Sequence, residues 1–218
     1  MKENIIAVDG CRCVSNARVY GLGESVRRAK FPMATDTSRL TEDITDGILG
    51  LAQSPSGSGH DQWLTGVIVQ FDLTLSNKAW VEAERYHFLD FVSSQSTMHR
   101  ITKFDLDIAY NKYVDQRMIE IMKELVAEYN EFCDKNKDTS KLDEFERANI
   151  ADEKANKYLR VLYSNPCGFQ LTAGMTTNYR QLKTIYKQRR THRLPEWREF
   201  CRWIEKLPHS ELITGGEI

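Results

Sequence analysis

From Leu64 to Leu75 the chain reads LTGVIVQFDLTL, with apolar side chains at Val67, Val69, Phe71, Leu73 and Leu75 and polar neighbours after Ile68. A two-residue period of this kind predicts a strand with one face in a core, the clearest strand in the sequence. A helix is predicted next, over about Lys78 to Val92, and it runs into the polar stretch SSQSTMHRITKFD. Val114, Met118, Ile121, Leu125, Tyr129 and Phe132 then fall at helical spacing and predict a long amphipathic helix. After the polar break CDKNKDTSK a further helix extends to about Leu162. Two more are predicted near the C-terminus. NYRQLKTIYKQRR has no breaker, and PEWREFCRWIEKL opens on Pro195 and puts Trp197, Phe200, Cys201, Ile204 and Leu207 on one stripe. Weaker strand candidates lie near the N-terminus and around Phe169 to Thr172. AQSPSGSGH reads as a flexible loop by composition, and no internal repeat is present. One strong strand, weaker ones and four or five helices make the class α+β.

Composition narrows this picture without redirecting it. The 218 residues are 41% hydrophobic and 28% charged, as in soluble globular proteins, and suffice to bury a core without disulfide or metal staples. A formal net charge of -1 gives no argument for a nucleic-acid or membrane partner. Between Thr176 and Lys206, however, nine Lys or Arg face three Glu, which suits an anionic ligand or a solvated basic face. The five cysteines are odd in number and irregularly spaced, and neither a signal peptide nor a membrane-length apolar run is evident, so a reducing cytoplasm is the expected compartment. Cys11-Arg12-Cys13 offers half a metal site, but no second Cys or His pair stands at ligand spacing, and no metal is expected.

The penultimate helix carries the most pointed local signal. At 100° per residue, Asn178, Leu182, Ile185 and Arg189 share one face, while Arg180, Lys183, Lys187 and Arg190 form an ordinary wet face opposite. A guanidinium on an apolar stripe must be paired, bind a polar ligand, or snorkel to solvent from the helix end. No phosphate loop, metalloprotease His pair or nucleophile elbow is present, and the serines beside His99 lack an orienting acid.

Several segments together resemble the flavin-dependent thymidylate synthases, the ThyX family. That family carries a Gln, two residues, then Arg-His-Arg, and later an Arg-Tyr. Gln95, two residues, Met98-His99-Arg100 and later Lys112-Tyr113 look like the same frame. Its C-terminal block, Asn-x-Arg-x-Leu followed by an Arg and a Trp-containing helix, looks like NYRQLKTIYKQRRTHRLPEW. The resemblance spans residues 60–207 of a single expected domain, 1–218, with residues 1–59 divergent. It implies an antiparallel or mixed sheet flanked by long helices, a homotetramer, and sites at subunit interfaces that hold FAD and dUMP. It also implies reductive methylation of dUMP to dTMP, with NADPH and methylene-tetrahydrofolate as co-substrates. Carried over by position, His60, His99, Arg100, Asn178, Arg180 and Thr184 are expected at the flavin, and Gln95, Lys112, Arg160 and Arg189 at the nucleotide. Arg189 is also the expected catalytic guanidinium, opposing charge that builds on the pyrimidine carbonyl. Arg190 is its alternative, because one residue is inserted before Trp197.

The sequence also departs from that family. Met98 stands where the first Arg of Arg-His-Arg would be, Lys112 replaces a second Arg, and the family Ser falls on Ile108 or Tyr110. A thioether cannot bond a phosphate, and an ammonium lacks the guanidinium fork. These changes keep open a related reaction, such as hydroxymethylation of a pyrimidine deoxynucleotide, or a nucleotide-binding homologue without turnover. A nucleic-acid module built on the basic C-terminal helices is the less favoured reading.

Overall fold

The computed structural model describes residues 5–55 and 57–216, so the ends of the expected 1–218 domain lie outside the described residues. The chain forms two compact units. Unit 1 contains the residues up to Leu75, Ala79–Ser94, and those from Thr172 onward; unit 2 contains Ser76–Lys78 and Gln95–Leu171.

Unit 1 is built on five strands, β1 (Ile6–Val8), β2 (Val14–Tyr20), β3 (Ile68–Ser76), β4 (Asp90–Ser94) and β5 (Gln170–Asn178), in the order β1-β2-β3-β5-β4. The β1–β2, β2–β3 and β4–β5 pairs are antiparallel. Thr74 Oγ1 meets Thr172 Oγ1 at 2.7 Å and Gln70 donates to Thr176 at 3.4 Å, so β3 and β5 also run in opposite directions. The α+β class and the antiparallel sheet expected from sequence are both present. β3 buries Val69, Phe71, Leu73 and Leu75, as its period requires, and each such side chain contributes roughly 1.5–3 kcal/mol of hydrophobic stabilisation.

Helices α1 (Leu22–Ala29), α2 (Asp46–Ala52), α3 (Asn77–Ala83), α7 (Tyr179–Arg189), α8 (Pro195–Ile204) and α9 (Glu211–Thr214) complete this part of the chain. The α8 stripe is as predicted: Trp197, Phe200, Cys201, Ile204 and Leu207 are all buried. Phe71 of β3 lies 5.7 Å from Phe200 and 5.1 Å from Trp203, which fixes α8 on the sheet. At Gly21, before α1, the backbone is left-handed (φ 70°), and a Cβ would stand 2.8 Å from the Gly66 carbonyl oxygen; only glycine fits.

Unit 2 is mainly helical, with α4 (Thr97–Arg100), α5 (Gln116–Lys135) and α6 (Glu144–Ser164). Asp143 caps α6 in a reciprocal box with Glu146. Its core gathers Ile101, Leu106, Tyr110, Met122, Val161 and Phe169, separate from the core of unit 1. Ser76–Lys78 joins it by backbone bonds from Asn77 N to Phe169 O (2.9 Å) and from Lys78 N to Cys167 O (3.0 Å).

Two sequence expectations are corrected here. The helix predicted from Lys78 to Val92 stops at Ala83, and Asp90–Ser94 is instead an edge strand paired with β5. The segment has no helix breaker, so pairing with a partner distant in sequence overrides its local pattern. On α5 the buried stripe is Ile119, Met122 and Leu125, while Met118 and Ile121 are exposed. Leu125 of the predicted stripe is buried and Val114 and Tyr129 pack against the same core, so the prediction misses at Met118 and Ile121, whose neighbours Ile119 and Met122 turn inward.

Candidate functional site

The residues expected at a site fall into both units, and each set has its own surroundings. In unit 1, Asn178 closes β5 and caps α7, its side-chain oxygen accepting from Gln181 N at 2.9 Å. Within the first turns of α7, Arg180 Nε donates to Asp61 Oδ1 at 3.0 Å and Lys183 Nζ to Asp61 Oδ2 at 2.9 Å. The Asp61 side chain is only 3% exposed, so this is a buried carboxylate serving two cations. Lys183 also donates to the carbonyls of Ala52 (2.7 Å) and Ser54 (2.9 Å), and Arg180 Nη1 to Gln62 Oε1 (2.7 Å). The Ser- and Gly-rich loop that carries His60 is thereby clamped to α7. His60 itself is exposed, and Thr184 turns its hydroxyl back to the Arg180 carbonyl at 3.4 Å. Arg180 and Lys183 are therefore not the wet face expected from the helical wheel, whereas Lys187 and Arg190 are exposed. A buried charge drew its partners from residues 119 and 122 positions away, a relation no local pattern carries.

Arg189, near the end of the same helix, is 6% exposed. Its Nε donates to Tyr86 Oη at 2.6 Å and its Nη1 to Glu82 Oε2 at 2.7 Å. The guanidinium lies over the Trp197 ring at 4.9 Å and over the Tyr86 ring at 5.5 Å. Of the readings open from sequence, paired, ligand-bound or snorkelling, the structure shows the paired one. Nη2 makes no hydrogen bond to a described residue, and it is not among the fully buried polar atoms that lack a partner. His192 Nε2 stands 3.3 Å from the same Glu82 oxygen. Burial first, then the Arg189 charge, holds the His192 pKa below its ordinary value, so the ring is neutral near pH 7. Burial likewise raises the Tyr86 phenol, against the pull of Arg189. Glu82 and Tyr86 were not singled out from sequence; they lie in the EAERY run whose helix ends at Ala83.

In unit 2, His99 and Arg100 come together at an open basin of about 750 Å³. Lys103, Lys154, Tyr129 and Tyr158 also line it. Tyr158 donates to the Met98 carbonyl at 3.0 Å and so fastens α4 to α6. The one acid in the lining, Asp134, pairs with Lys137 at 2.8 Å, which leaves Arg100, Lys103 and Lys154 as a cationic excess. Such a surface can hold a phosphate through charge-assisted bonds. Met98, the clearest departure from the family motif, is on the rim and 59% exposed. Lys103 and Lys154 were missed because each looks like one more charge on a polar segment. The remaining expected residues do not line this basin. Arg160 is 64% exposed with Glu128 at 3.5 Å, Lys112 lies over the Tyr113 ring at 5.3 Å, and Gln95 is exposed where the chain leaves β4.

No protein-family model matches the sequence, and no curated protein matches it. The fold does match solved structures from end to end. A flavin-dependent thymidylate synthase ThyX from Helicobacter pylori, complexed with FAD and dUMP, aligns over 97% of this chain and 98% of its own, with a TM-score of 0.60 at 12% identity. A second structure of that organism's Thymidylate Synthase X, also with FAD and dUMP, aligns over 98% of both chains, with a TM-score of 0.60 at 13% identity. The chain thus has the fold of these enzymes along its whole length.

Proposed function

We propose that this protein is a flavin-dependent enzyme of the thymidylate synthase type, converting dUMP to dTMP with methylene-tetrahydrofolate and NADPH. The observation that carries the proposal is the end-to-end likeness to proteins complexed with FAD and dUMP, in a chain whose own residues reproduce much of the motif frame. The cationic excess of Arg100, Lys103 and Lys154 fits the phosphates that both ligands carry. Bound FAD would supply the two-electron chemistry that the side chains of this protein cannot perform.

The chain's own residues have positional and electrostatic roles in this reading. His60, Asn178, Arg180 and Thr184 contact the flavin from unit 1, where the Asp61 clamp fixes the loop and the helix that carry them. His99 and Arg100 are the flavin-binding residues of unit 2, beside the cations of its basin. Gln95, Lys112 and Arg160 contact the nucleotide, Arg160 by exchanging its exposed Glu128 neighbour for a phosphate. Arg189 offers Nη2 to a pyrimidine carbonyl, where a fixed positive charge stabilises developing negative charge. Arg190, exposed on the next position, is the alternative for this task. Assembly into a homotetramer is supported by the exposed apolar side chains Val81, Phe88, Phe91 and Val92, which a second copy can cover.

The test is the visible absorption spectrum of the purified protein. FAD absorbance that bleaches with NADPH, followed by dTMP formation from dUMP, is expected; protein that remains colourless in excess FAD sinks the proposal. Loss of turnover in Arg189→Lys with retention in Arg190→Lys assigns the guanidinium, and the reverse pattern moves it by one residue. The Met98 rim favours a second reading, transfer of a hydroxymethyl group or nucleotide binding without turnover, which product analysis on the same samples separates.

A further inference from the structure

The two thiols that sequence reading left as half a metal site have a third neighbour from the far end of the chain. Cys11 and Cys13 sit in the turn between β1 and β2, which is closed by bonds from Cys11 N to Val14 O (2.8 Å) and from Val14 N to Cys11 O (3.3 Å). Their Sγ atoms are 3.4 Å apart, far beyond a disulfide bond. Glu199 reaches them from α8, and the two sulfurs and a carboxylate oxygen all lie within 4.8 Å of one another. Cys13 is 6% exposed and the other two are half-buried. Helix α8 is held at this turn independently, since Trp203 Nε1 donates to the Asp9 carbonyl at 3.2 Å. Glu199 forms no ion pair with a cation among the described residues, and neither do the thiols.

We propose that Cys11, Cys13 and Glu199 form a binding site for a zinc-class divalent ion, with water as the fourth ligand. Two soft sulfur donors select such an ion over magnesium or calcium, and one carboxylate completes a three-protein-ligand set. With Zn–S near 2.3 Å and Zn–O near 2.1 Å, tetrahedral ligand atoms stand about 3.6 Å apart, so the carboxylate moves inward by at most about 1.2 Å. A rotation of the Glu199 side chain supplies that. Binding releases the two thiol protons to solvent and leaves two thiolates and one carboxylate around the dication. The ion would clasp the β1–β2 turn to α8, using no residue assigned to flavin or nucleotide.

Chelator-stripped, reduced full-length protein titrated with Co²⁺ and Zn²⁺ tests this. One equivalent of Co²⁺ should bind with a thiolate-to-cobalt band in the near-ultraviolet difference spectrum, be displaced by Zn²⁺, and raise the Tm. Glu199→Gln and Cys11→Ser should each weaken binding by at least roughly tenfold, the lower end of what even an outer-shell partner contributes. Cys167→Ser, which alters an exposed thiol outside the cluster, should bind as the parent does. Absence of stoichiometric binding, unchanged affinity in both cluster variants, or a Cys11–Cys13 disulfide in protein isolated without oxidant overturns the assignment. None of these outcomes depends on flavin uptake or turnover.

Discussion

Replacing Glu82 by Ala isolates the energetic role of Arg189. The pair is nearly dry, with side chains 8% and 15% exposed, and removing the carboxylate leaves a guanidinium with Tyr86 and the Trp197 face as its company. Breaking a buried pair from one side costs about 3–5 kcal/mol. The surviving cation–π contact offsets about 0.5–2 kcal/mol of that, leaving a loss of roughly 1–4.5 kcal/mol. At about 2–4 °C per kcal/mol for a chain of this size, Tm should fall by about 2–18 °C. Urea unfolding followed by tryptophan fluorescence is a suitable assay, because Trp197 lies directly under the guanidinium. Arg189→Met and the double variant complete a cycle. If the pair is an energetic unit, the double variant should be more stable than the sum of the two single losses implies. A Glu82→Ala loss below about 1 kcal/mol, or strict additivity, would refute the reasoning and leave Arg189 as a group held for a ligand.

Three further outcomes follow from the geometry. Asp61→Asn removes the charge shared by Arg180 and Lys183; a stability loss of about 1.5–3 kcal/mol is expected, with the loop before β3 becoming accessible to limited proteolysis. Arg100→Ala should weaken FAD or dUMP binding about 10- to 100-fold by calorimetry, equivalent to one charge-assisted bond, while leaving Tm within a few degrees. His192 has a folded-state pKa below its ordinary 6.5, so the unfolded chain takes up the proton first. The His192 contribution to stability is therefore full above about pH 6.5 and lost as pH falls through the depressed folded value. The Tm difference between the parent and His192→Gln should shift against the parent between pH 7 and pH 5, and a gap that stays flat counts against this.

Legibility in the sequence followed the range of the interactions. β3 and the α8 stripe could be read because Val69, Phe71, Leu73, Trp197, Phe200 and Ile204 each announce burial through a local period. Asp90–Ser94 could not, because it is a strand only by virtue of pairing with Thr176 and its neighbours in β5. The helical wheel put Arg189 on the apolar stripe but left burial and snorkelling both open, and its partner could not be read, since Glu82 sits on an element 107 residues away. His99 and Arg100 were indicated by the motif frame. Lys103 and Lys154 join them through the packing of α6 beside α4, for which no sequence spacing exists.

The strand order has a consequence for how such a chain can change. Gln95 follows Ser94, Thr172 precedes Ala173, and Ser94 and Ala173 are register partners in the β4–β5 ladder. The stretch between them, with its own apolar core, therefore begins and ends at neighbouring points on one strand pair. Its loop-closure entropy is met by a ladder that exists for other reasons, and lengthening it adds only a slowly growing logarithmic cost. Met98 and the cations near it can accordingly be exchanged, or the whole stretch grafted from a relative, while β4 and β5 keep their pairing. Altered ligand preference is open to this architecture at little risk to folding.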